Sequence, residues 1–293
     1  MLSILIPTYN YNVYPLVTEL KNQADALGIA YEILVQDDAS NLFIEENTEI
    51  NILLNCSYTL NHENLGRGNN ITLLNNRAKF EYVLIMEADA FPEKKTYLKK
   101  LIDSINQETQ VLFGGVIYPN QKPEQDKLLR WKYGNERESI SLSNRLKRPY
   151  HFVFTWNLLL KKEILSKYHF PNNIKNYGYE DVVFIKQLKE NKVPIQHFNN
   201  MLIHFNSETS IAFINKTEDA VKTLHQLISN KRLLIEDTKI GKASKTIHLF
   251  NLENLTRFLF KKTSTKLIAN LTSSHPSLLI LDLYKLGYFL NLK

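Results

Sequence analysis

Five apolar residues run directly into an acidic pair in the segment Tyr82-Val83-Leu84-Ile85-Met86-Glu87-Ala88-Asp89-Ala90. A short apolar run that ends in charge is typical of a strand buried on both faces of a sheet. Side chains two residues apart on a strand point the same way, so we expect Glu87 and Asp89 to face one cleft. A divalent cation carrying a diphosphate would satisfy two such carboxylates at the edge where α/β sheets bind ligands. Two solvated acids at a strand end are the alternative, and the spacing alone does not separate the two.

The composition is that of an ordinary globular protein. The chain has 293 residues, of which 44% are hydrophobic and 23% are charged, so it can bury a core and exceeds one average domain. Cys56 is the only cysteine, which excludes a disulfide framework and a cysteine metal cluster. The N-terminus resembles a first strand rather than a signal peptide, and no apolar run approaches the ~20 residues of a membrane helix. We therefore expect a cytoplasmic protein.

The net charge of +6 permits anionic partners such as nucleotide diphosphates, anionic lipids or nucleic acid. There is no zinc-finger spacing and no aromatic RNA-binding signature, so we expect no nucleic acid partner. From Gly241 onward the chain is basic and carries only two acids, Glu253 and Asp282. Together with the interrupted apolar stretch 278–290, this predicts peripheral contact of the C-terminal tail with the inner face of the cytoplasmic membrane. A helical cap on the main domain is the alternative.

The first third of the chain alternates between strand and helix patterns. Apolar residues predict strands at 2–6 and 31–36 around a helix with its apolar residues between Val13 and Leu27, which together make a parallel βαβ unit. The first strand is followed by Pro7-Thr8-Tyr9-Asn10, without the Gly-x-Gly-x-x-Gly of a dinucleotide site. A third apolar run covers 50–54. Helices are predicted near 69–80 and 92–105, on either side of the strand that begins at Tyr82.

The rest of the chain has a weaker pattern. Strands are predicted at 111–118, 152–160 and 201–205, and a helix is predicted to begin at Tyr177-Gly178-Tyr179-Glu180-Asp181. Residues 119–150 are polar and basic without periodicity, which suggests a loop over the cleft or a solvated insert. Helices are predicted at 220–228, 251–260, 264–271 and 277–290. The prediction is an α/β fold, with a mostly parallel sheet flanked by helices in 1–210 and a C-terminal helical extension in 211–293.

Five motifs follow one another along roughly residues 1–210, namely Leu5-Ile6-Pro7-Thr8-Tyr9-Asn10, Val35-Gln36-Asp37-Asp38-Ala39-Ser40, Asn64-Leu65-Gly66-Arg67, Glu87-Ala88-Asp89, and Tyr177-Gly178-Tyr179-Glu180-Asp181. In this order they resemble the motifs of family 2 glycosyltransferases. The third is similar to the link into the family's metal strand, and the fourth stands where the family has Asp-x-Asp. The last resembles the family's Gly-Trp-Gly-x-Glu-Asp region.

This resemblance implies a GT-A fold and transfer of a sugar from a nucleotide-diphosphate donor, with Mn²⁺ or Mg²⁺ as cofactor. By position it implies that Pro7, Tyr9 and Asp38 hold the nucleobase, that Glu87 reaches the ribose, and that Asp89 binds the metal. Asp181 would be the catalytic base. The chain departs from the family at Glu87, which is one methylene longer than Asp. It also has Ile71-Thr72 where relatives often carry Arg-Asn, so either a donor contact is missing or Arg67 or Asn70 supplies it.

Three further residues are candidates with an open structural alternative. His204 is a possible second metal ligand, at Met-x-x-His as in some related galactosyltransferases, or else a packed histidine. Trp156 either stacks on a sugar face or belongs to the core. Glu180 either contacts the acceptor or is a favourable acid in a first helical turn.

The expected function is an inverting, metal-dependent hexosyltransferase in cell-surface polysaccharide synthesis. Its donor is expected to be a UDP-sugar, because Asp38 can accept the imide N–H of uracil, and its acceptor a glycan or a lipid-linked sugar. A sugar-phosphate nucleotidyltransferase is one alternative, but it calls for a Gly-rich basic loop after the first strand. A non-catalytic nucleotide-sugar or glycan-binding protein with the same fold is the other.

Overall fold

The computed structural model describes residues 1–171, 178–206 and 208–292. These residues form two compact units. The first unit comprises the described residues of 1–119, 138–175 and 180–205. The second comprises those of 120–137, 176–179 and 206–293.

The strands all belong to the first unit. In chain order they are β1 (Leu2–Thr8), β2 (Tyr31–Asp37), β3 (Cys56–Leu60), β4 (Tyr82–Ile85), β5 (Ala90–Pro92), β6 (Val111–Phe113), β7 (Val116–Ile117), β8 (Leu158–Lys161), β9 (Ile195–His197) and β10 (Leu202–His204). Seven of them form the central sheet in the order β3-β2-β1-β4-β8-β6-β9. The pairs β1–β2, β1–β4, β2–β3 and β6–β9 are parallel, and β8 runs antiparallel to both its neighbours. The predicted mostly parallel sheet is confirmed.

The helices are divided between the units. In chain order they are α1 (Tyr14–Leu27), α2 (Ile44–Thr48), α3 (Arg67–Arg77), α4 (Tyr97–Asp103), α5 (Leu128–Tyr133), α6 (Leu142–Lys147), α7 (Lys162–Lys167), α8 (Glu180–Glu190), α9 (Ser210–Ser229), α10 (Lys239–Leu249), α11 (Glu253–Leu271) and α12 (Leu278–Asn291). In the second unit are α5 and α9 to α12. No helix among the described residues is long and apolar enough to cross a membrane.

Strands β1, β2 and β4 form the buried middle of the central sheet, and most of their residues are apolar. All residues of these three strands are buried, and they pack with α1 and α3 in one large apolar cluster. Continuous burial on both faces is what a parallel sheet covered by helices requires. The run at 50–54 is not a strand, since a 3-10 turn occupies 49–52 and the edge strand β3 follows it.

A second, three-stranded sheet was not predicted and has the order β5-β10-β7. Its strands are only two or three residues long, too short for a period to show in the sequence. In the antiparallel pairing of β10 with β5, His204 lies opposite Ala90. This register brings the end of β10 beside the acidic pair that follows β4.

Several predicted boundaries are wrong. The predicted strand 111–118 is two strands, separated by Gly114-Gly115, and only residues 158–160 of the predicted strand 152–160 belong to a strand, β8. The polar segment 119–150 contains α5 and α6 rather than a loop. It is fixed by buried side chains, namely Leu128 and Leu129 in the second unit and Arg145 in the first.

In the second unit, the predicted helix 220–228 is the end of the longer α9, and the two weaker candidates 251–260 and 264–271 are the single helix α11. The prediction missed α10. A small separate core joins these helices and consists of Leu129, Ile214, Leu271, Leu278, Leu281 and Tyr284. Most of the apolar residues of α12 therefore pack inside this unit.

Candidate active site

The ends of β2, β1 and β4 lie side by side in the sheet, and their polar residues meet there. The side-chain oxygen of Asn10 accepts hydrogen bonds from the backbone N–H groups of Asn41 and Leu42, at 2.9 and 3.2 Å. This joins the loops after β1 and β2. Pro7 is buried within β1, whereas the Tyr9 side chain is exposed beside this junction.

Asp38 holds the turn that leads into α3. Its Oδ1 accepts from the backbone N–H of Leu65 at 2.8 Å and from the Asn61 amide at 3.0 Å, and its Oδ2 accepts from the N–H of Gly66 at 2.9 Å. Gly66 has φ = 84°, a conformation that glycine adopts without the steric penalty of a side chain. The neighbouring Asp37 accepts from the Ser40 N–H and the Tyr58 hydroxyl. Asp38 thus fixes where the first residue of α3 points.

That first residue is Arg67, which connects three segments of the first unit. Its guanidinium donates to Glu87, with Nη2 to Oε2 at 2.9 Å and Nε to both carboxylate oxygens at 3.2 and 3.3 Å. It also donates to the hydroxyl and the carbonyl of Thr155, at 2.8 and 2.9 Å. Glu180 lies 3.6 Å from Nη1. A planar fork that engages a carboxylate in this way fixes its orientation as well as its charge.

The carboxylates around Arg67 outnumber it. Burial opposes the charge of Arg67, but Glu87 and Glu180 outweigh this and raise its pKa. The Oε2 atom of Glu180 is buried without a hydrogen-bond partner among the described residues. Burial, and then the charge of Glu180, raise the pKa of Asp181 to about 7, against the lowering effect of Arg67. Asp181 is therefore ready to exchange a proton near neutral pH.

Asp89 is paired with His204 rather than with Glu87. The His204 Nε2 lies 2.8 Å from the Asp89 Oδ1, and the backbone N–H of Phe205 donates to the Asp89 carbonyl at 2.8 Å. Strand β4 ends at Ile85, so the alternation of side chains along a strand does not extend to Glu87 and Asp89. A cation shared by these two carboxylates stays a prediction. Each of the two carboxylates has its own partner.

The other ring nitrogen of His204 is held by a chain of hydrogen bonds. Nδ1 lies 2.8 Å from the Tyr118 hydroxyl, which donates to Glu138. Since that hydroxyl uses its proton on Glu138, the His204 Nδ1 is the donor to Tyr118. In the neutral ring, Nε2 then carries a lone pair toward Asp89. This arrangement suits a cation shared by the two side chains.

The Asp89–His204 pair fits a divalent metal in chemistry and in spacing. A carboxylate oxygen and an imidazole nitrogen suit Mn²⁺, and two neighbouring ligands with bonds of about 2.1 Å on an octahedral ion lie about 3 Å apart. Among the described residues, no group of three or more His, Cys, Asp or Glu side chains is arranged to hold a metal. A divalent ion held by two protein ligands would complete its shell with the diphosphate and water, as is usual for Mg²⁺.

Trp156 is placed beside this pair. Its ring lies 4.9 Å from that of His204 and 6.0 Å from that of Phe154, and the side chain is buried. Burial fits the core alternative, and stacking on a sugar stays a prediction. Asn70 is also buried, and its amide donates to the Gln36 carbonyl while its oxygen accepts from Asn61. Both candidate donor contacts, Arg67 and Asn70, are therefore engaged in hydrogen bonds within the protein.

The structure joins most of the predicted residues into one neighbourhood of the first unit, although Tyr177 lies outside the described residues. Thr155 binds Arg67, and the next residue, Trp156, packs on His204. Tyr11 belongs here too, because burial and the charge of Asp89 raise its pKa. Sequence analysis missed Thr155, Tyr118 and Glu138. Of these three, only Tyr118 had a signal in the sequence, because it is an aromatic residue at the end of the predicted strand 111–118.

The family comparison agrees with this geometry. The model of Glycosyl transferase family 2 matches residues 3–169, more than half of the chain. The chain belongs to this family. A search of curated protein sequences gave no match.

Solved structures show the same fold. TarS from S. aureus aligns with a TM-score of 0.51 at 20% identity, over 78% of this chain and 43% of TarS. The 1–349 form of TarS in complex with UDP-GlcNAc gives 0.51 at 18% identity, over 97% of this chain and 89% of that one. The mannosyltransferase PcManGT from Pyrobaculum calidifontis, in complex with GDP-Man and Mn²⁺, gives 0.53 at 16% identity, over 78% and 64%. This family 2 chain thus has a GT-A-type fold, and it spans less than half of the first TarS chain.

Proposed function

We propose that this protein is an inverting hexosyltransferase that moves a sugar from a nucleotide-diphosphate donor to a hydroxyl of a glycan or lipid-linked acceptor. The observation that carries the proposal is the cluster of Glu87, Glu180 and Asp181 around Arg67, next to the Asp89–His204 pair. A base with a pKa near 7 and a two-ligand metal site are the two devices that this reaction needs. Family membership supports a transferase of this kind.

In the proposed reaction Asp181 is the base. An acceptor hydroxyl is a weak nucleophile at neutral pH, so a carboxylate within hydrogen-bond reach takes its proton as it attacks the anomeric carbon. Burial and the charge of Glu180 hold the pKa of Asp181 at about 7, where it is ionised in part and can keep the proton it receives. Attack from the side opposite the leaving diphosphate inverts the configuration. Glu180, with a buried unpaired oxygen, is proposed to contact the acceptor.

Asp89 and His204 are proposed to hold Mn²⁺ or Mg²⁺. Once bound, the ion neutralises the negative charge that develops on the leaving nucleotide diphosphate. The Nδ1 hydrogen bond of His204 to Tyr118 turns the lone pair of Nε2 toward Asp89. PcManGT, a structure of similar fold, was crystallised with Mn²⁺.

The donor is proposed to be a UDP-sugar, held by Pro7, Tyr9, Asp38, Arg67 and Glu87. Asp38 uses three of its roughly four acceptor positions on Asn61, Leu65 and Gly66, which leaves one on Oδ2 for the imide N–H of uracil. The exposed ring of Tyr9 lies at the same edge. TarS binds UDP-GlcNAc and PcManGT binds GDP-Man, so the fold accepts either nucleotide and the base must be tested.

The setting proposed for this reaction is cell-surface polysaccharide synthesis in the cytoplasm. Trp156 and Glu180 are proposed to contact the acceptor. A lipid-linked acceptor is held at a membrane, so the proposal includes peripheral contact with the membrane's inner face through the basic C-terminal region. The division into a catalytic domain at 1–210 and a helical extension at 211–293 belongs to the same proposal.

A thermal-shift panel of nucleotide sugars, with and without Mn²⁺, tests donor and metal together, because a ligand that binds the folded state raises the melting temperature. A UDP-sugar with Mn²⁺ should give the largest shift, and Asp89→Ala should remove its metal-dependent part. Asp103→Ala, an exposed acid paired with Lys99, is the control. Stabilisation by guanine or cytosine nucleotides alone would contradict the choice of UDP.

The product that forms when an acceptor is supplied distinguishes the alternative functions. Free nucleoside diphosphate, with a product linkage opposite to that of the donor by NMR, supports an inverting transferase. Release of pyrophosphate from a nucleoside triphosphate and a sugar phosphate would indicate a nucleotidyltransferase. Donor binding without release of nucleotide, whichever acceptor is supplied, would indicate a non-catalytic binding protein.

A further inference from the structure

The turn between α10 and α11 exposes an unusual amount of apolar surface. Six large apolar side chains within eleven consecutive residues are between 44% and 70% exposed, namely Leu249, Phe250, Leu252, Leu255, Phe258 and Leu259. We call this set the α10–α11 corner. Single exposed apolar residues are normal on a protein surface, but a group of this size marks a contact site.

The corner is not the segment that the sequence suggested. There the apolar stretch 278–290 was the candidate for membrane contact, but six of its thirteen residues are buried in α12, and only Leu279 and Leu283 of its apolar residues are exposed. Leu278, Leu281, Tyr284, Phe289 and Leu290 all lie inside the second unit. The accessible apolar residues at the corner belong to α10, α11 and the turn between them. The sequence did not point to them, because the apolar residues of α11 follow only a weak helical period.

The corner is an ordered structure rather than a loose loop. The backbone N–H of Leu252 donates to the Ile247 carbonyl at 3.0 Å, and that of Asn251 donates to His248 at 2.9 Å. The His248 ring and the Glu253 carboxylate lie 3.0 Å apart and connect the two helices. Asn251 has a φ of 56°, which makes the tight turn. The apolar side chains are therefore presented in fixed positions.

The charge around the corner is strongly positive. Residues 239–271 contain seven lysines and arginines and one acid, a net charge of +6, which equals that of the whole chain. All seven of these cations are exposed, namely Lys239, Lys242, Lys245, Arg257, Lys261, Lys262 and Lys266. The Lys262 ammonium lies 4.4 Å from the centre of the Phe258 ring, so a cation and an apolar anchor are adjacent.

We propose that the α10–α11 corner docks on an anionic lipid membrane, with the six apolar side chains inserted at the level of the headgroups and the cations against anionic lipid. Exposed apolar residues flanked by lysine and arginine are what interfacial helices use. The charge argues against a second copy of the chain as the occupant, because two surfaces of +6 repel each other. This inference rests on the proposed function, because it assigns a surface to the membrane contact included there. Vesicle binding is measured without sugar transfer, so failure of the docking and failure of the proposed reaction are distinguishable.

Flotation of the full chain with vesicles tests the proposal. Wild type should float with 70:30 phosphatidylcholine:phosphatidylglycerol vesicles and much less with phosphatidylcholine alone. Phe250→Ser with Phe258→Ser should lower the vesicle partition coefficient by about tenfold or more, since apolar area and charge both contribute. The control is Ile52→Ser with Leu54→Ser, two exposed apolar residues of the first unit.

A second pair tests the charge. Lys261→Glu with Lys262→Glu should weaken binding by about tenfold or more, and the effect should shrink at high salt. The control is Lys94→Glu with Lys95→Glu, which changes two adjacent exposed lysines of the first unit. Equal flotation of wild type and corner variants overturns the proposal, as does failure of the wild type to float. A wild-type dimer that corner variants dissociate in sedimentation would also overturn it, since the corner would then be a protein interface.

Discussion

At the scale of single residues, the chemistry depends on neighbours that the sequence separates widely. Asp181 is the clearest case. Its pKa of about 7 arises from burial and from the adjacent Glu180, while Arg67, more than a hundred residues earlier, opposes the shift. The motif pointed to Asp181 by resemblance, and only the structure supplies the reason that such a carboxylate suits proton transfer. The same holds for Glu87, whose extra methylene carries its carboxylate to the Arg67 fork.

The first prediction concerns the activity of Asp181→Asn. We expect turnover to fall by about 10²-fold or more with donor binding retained, because a general base is worth that much. In wild type, kcat should rise with pH through about 7 as Asp181 ionises. This rise of kcat with pH should vanish in Asp181→Asn. In Glu180→Gln the rise should remain but occur at lower pH, because the substitution removes the charge that raises the pKa of Asp181. An unchanged pH profile in Asp181→Asn would refute the assignment.

The second prediction concerns the stability of the same variant. The pKa of Asp181 is higher in the folded protein than its ordinary value of 3.8, so the folded state binds the proton more tightly. The protonated Asp181 therefore contributes to the stability of the wild-type protein below pH 4, and this contribution is lost as the pH rises through about 7. Asp181→Asn should therefore melt at a higher temperature than wild type at pH 8, with little difference at pH 4. Calorimetry at both pH values checks this, and a variant less stable at pH 8 would contradict it.

The third prediction concerns the Tyr118 hydroxyl. In Tyr118→Phe, His204 loses the partner that keeps the proton on Nδ1, so the Nε2 lone pair is no longer held toward Asp89. We expect Mn²⁺ affinity to fall by about tenfold or more, as for other partners of metal-bound histidines. Mn²⁺ titration followed by electron paramagnetic resonance measures this without any turnover. Tyr150→Phe, which removes a hydroxyl bond to the Val193 carbonyl, is the control. Equal dissociation constants would remove Tyr118 from the site.

At the scale of elements, the long buried strands were predictable and the short ones were not. Most residues of β1, β2 and β4 are apolar and all of them are buried, so the apolar runs in the sequence were enough to predict these strands. The pairing of β5 with β10, which brings His204 to Asp89, joins segments more than a hundred residues apart. No local pattern encodes such a pairing. The sequence therefore indicated both residues separately, and only the fold made them a pair.

The break between β6 and β7 supports a fourth prediction. A Cβ added to Gly114 would lie 2.4 Å from the Asn200 carbonyl and 2.5 Å from the Asn157 amide. Because backbone cannot move aside cheaply, we expect Gly114→Ala to lower the free energy of unfolding by about 1–3 kcal/mol. In Gly28→Ala, nothing lies within 4 Å of the added Cβ and only the φ of 62° is strained, so the loss should be smaller. Urea denaturation compares them, and an equal loss would contradict the steric argument.

At the scale of the whole molecule, the charge and the two cores are unevenly distributed. All of the net positive charge can be assigned to residues 239–271, so the rest of the chain is close to neutral. This asymmetry was visible in the sequence. The separate core of the second unit was not, because it draws Leu129 from a segment that has no apolar period.

That core leads to the last prediction, which concerns a chain ending at residue 240. Such a truncation removes Leu271, Leu278, Leu281 and Tyr284, and leaves Leu129 and Ile214 without most of their partners. An apolar cluster cut in this way no longer offsets the entropy of ordering its helices. We expect amide hydrogen exchange to show lost protection in α9, with protection retained in β1, β2 and β4. The full chain is the reference. Retained protection of α9 in the truncated chain would show that its helix does not depend on the C-terminal half of this core.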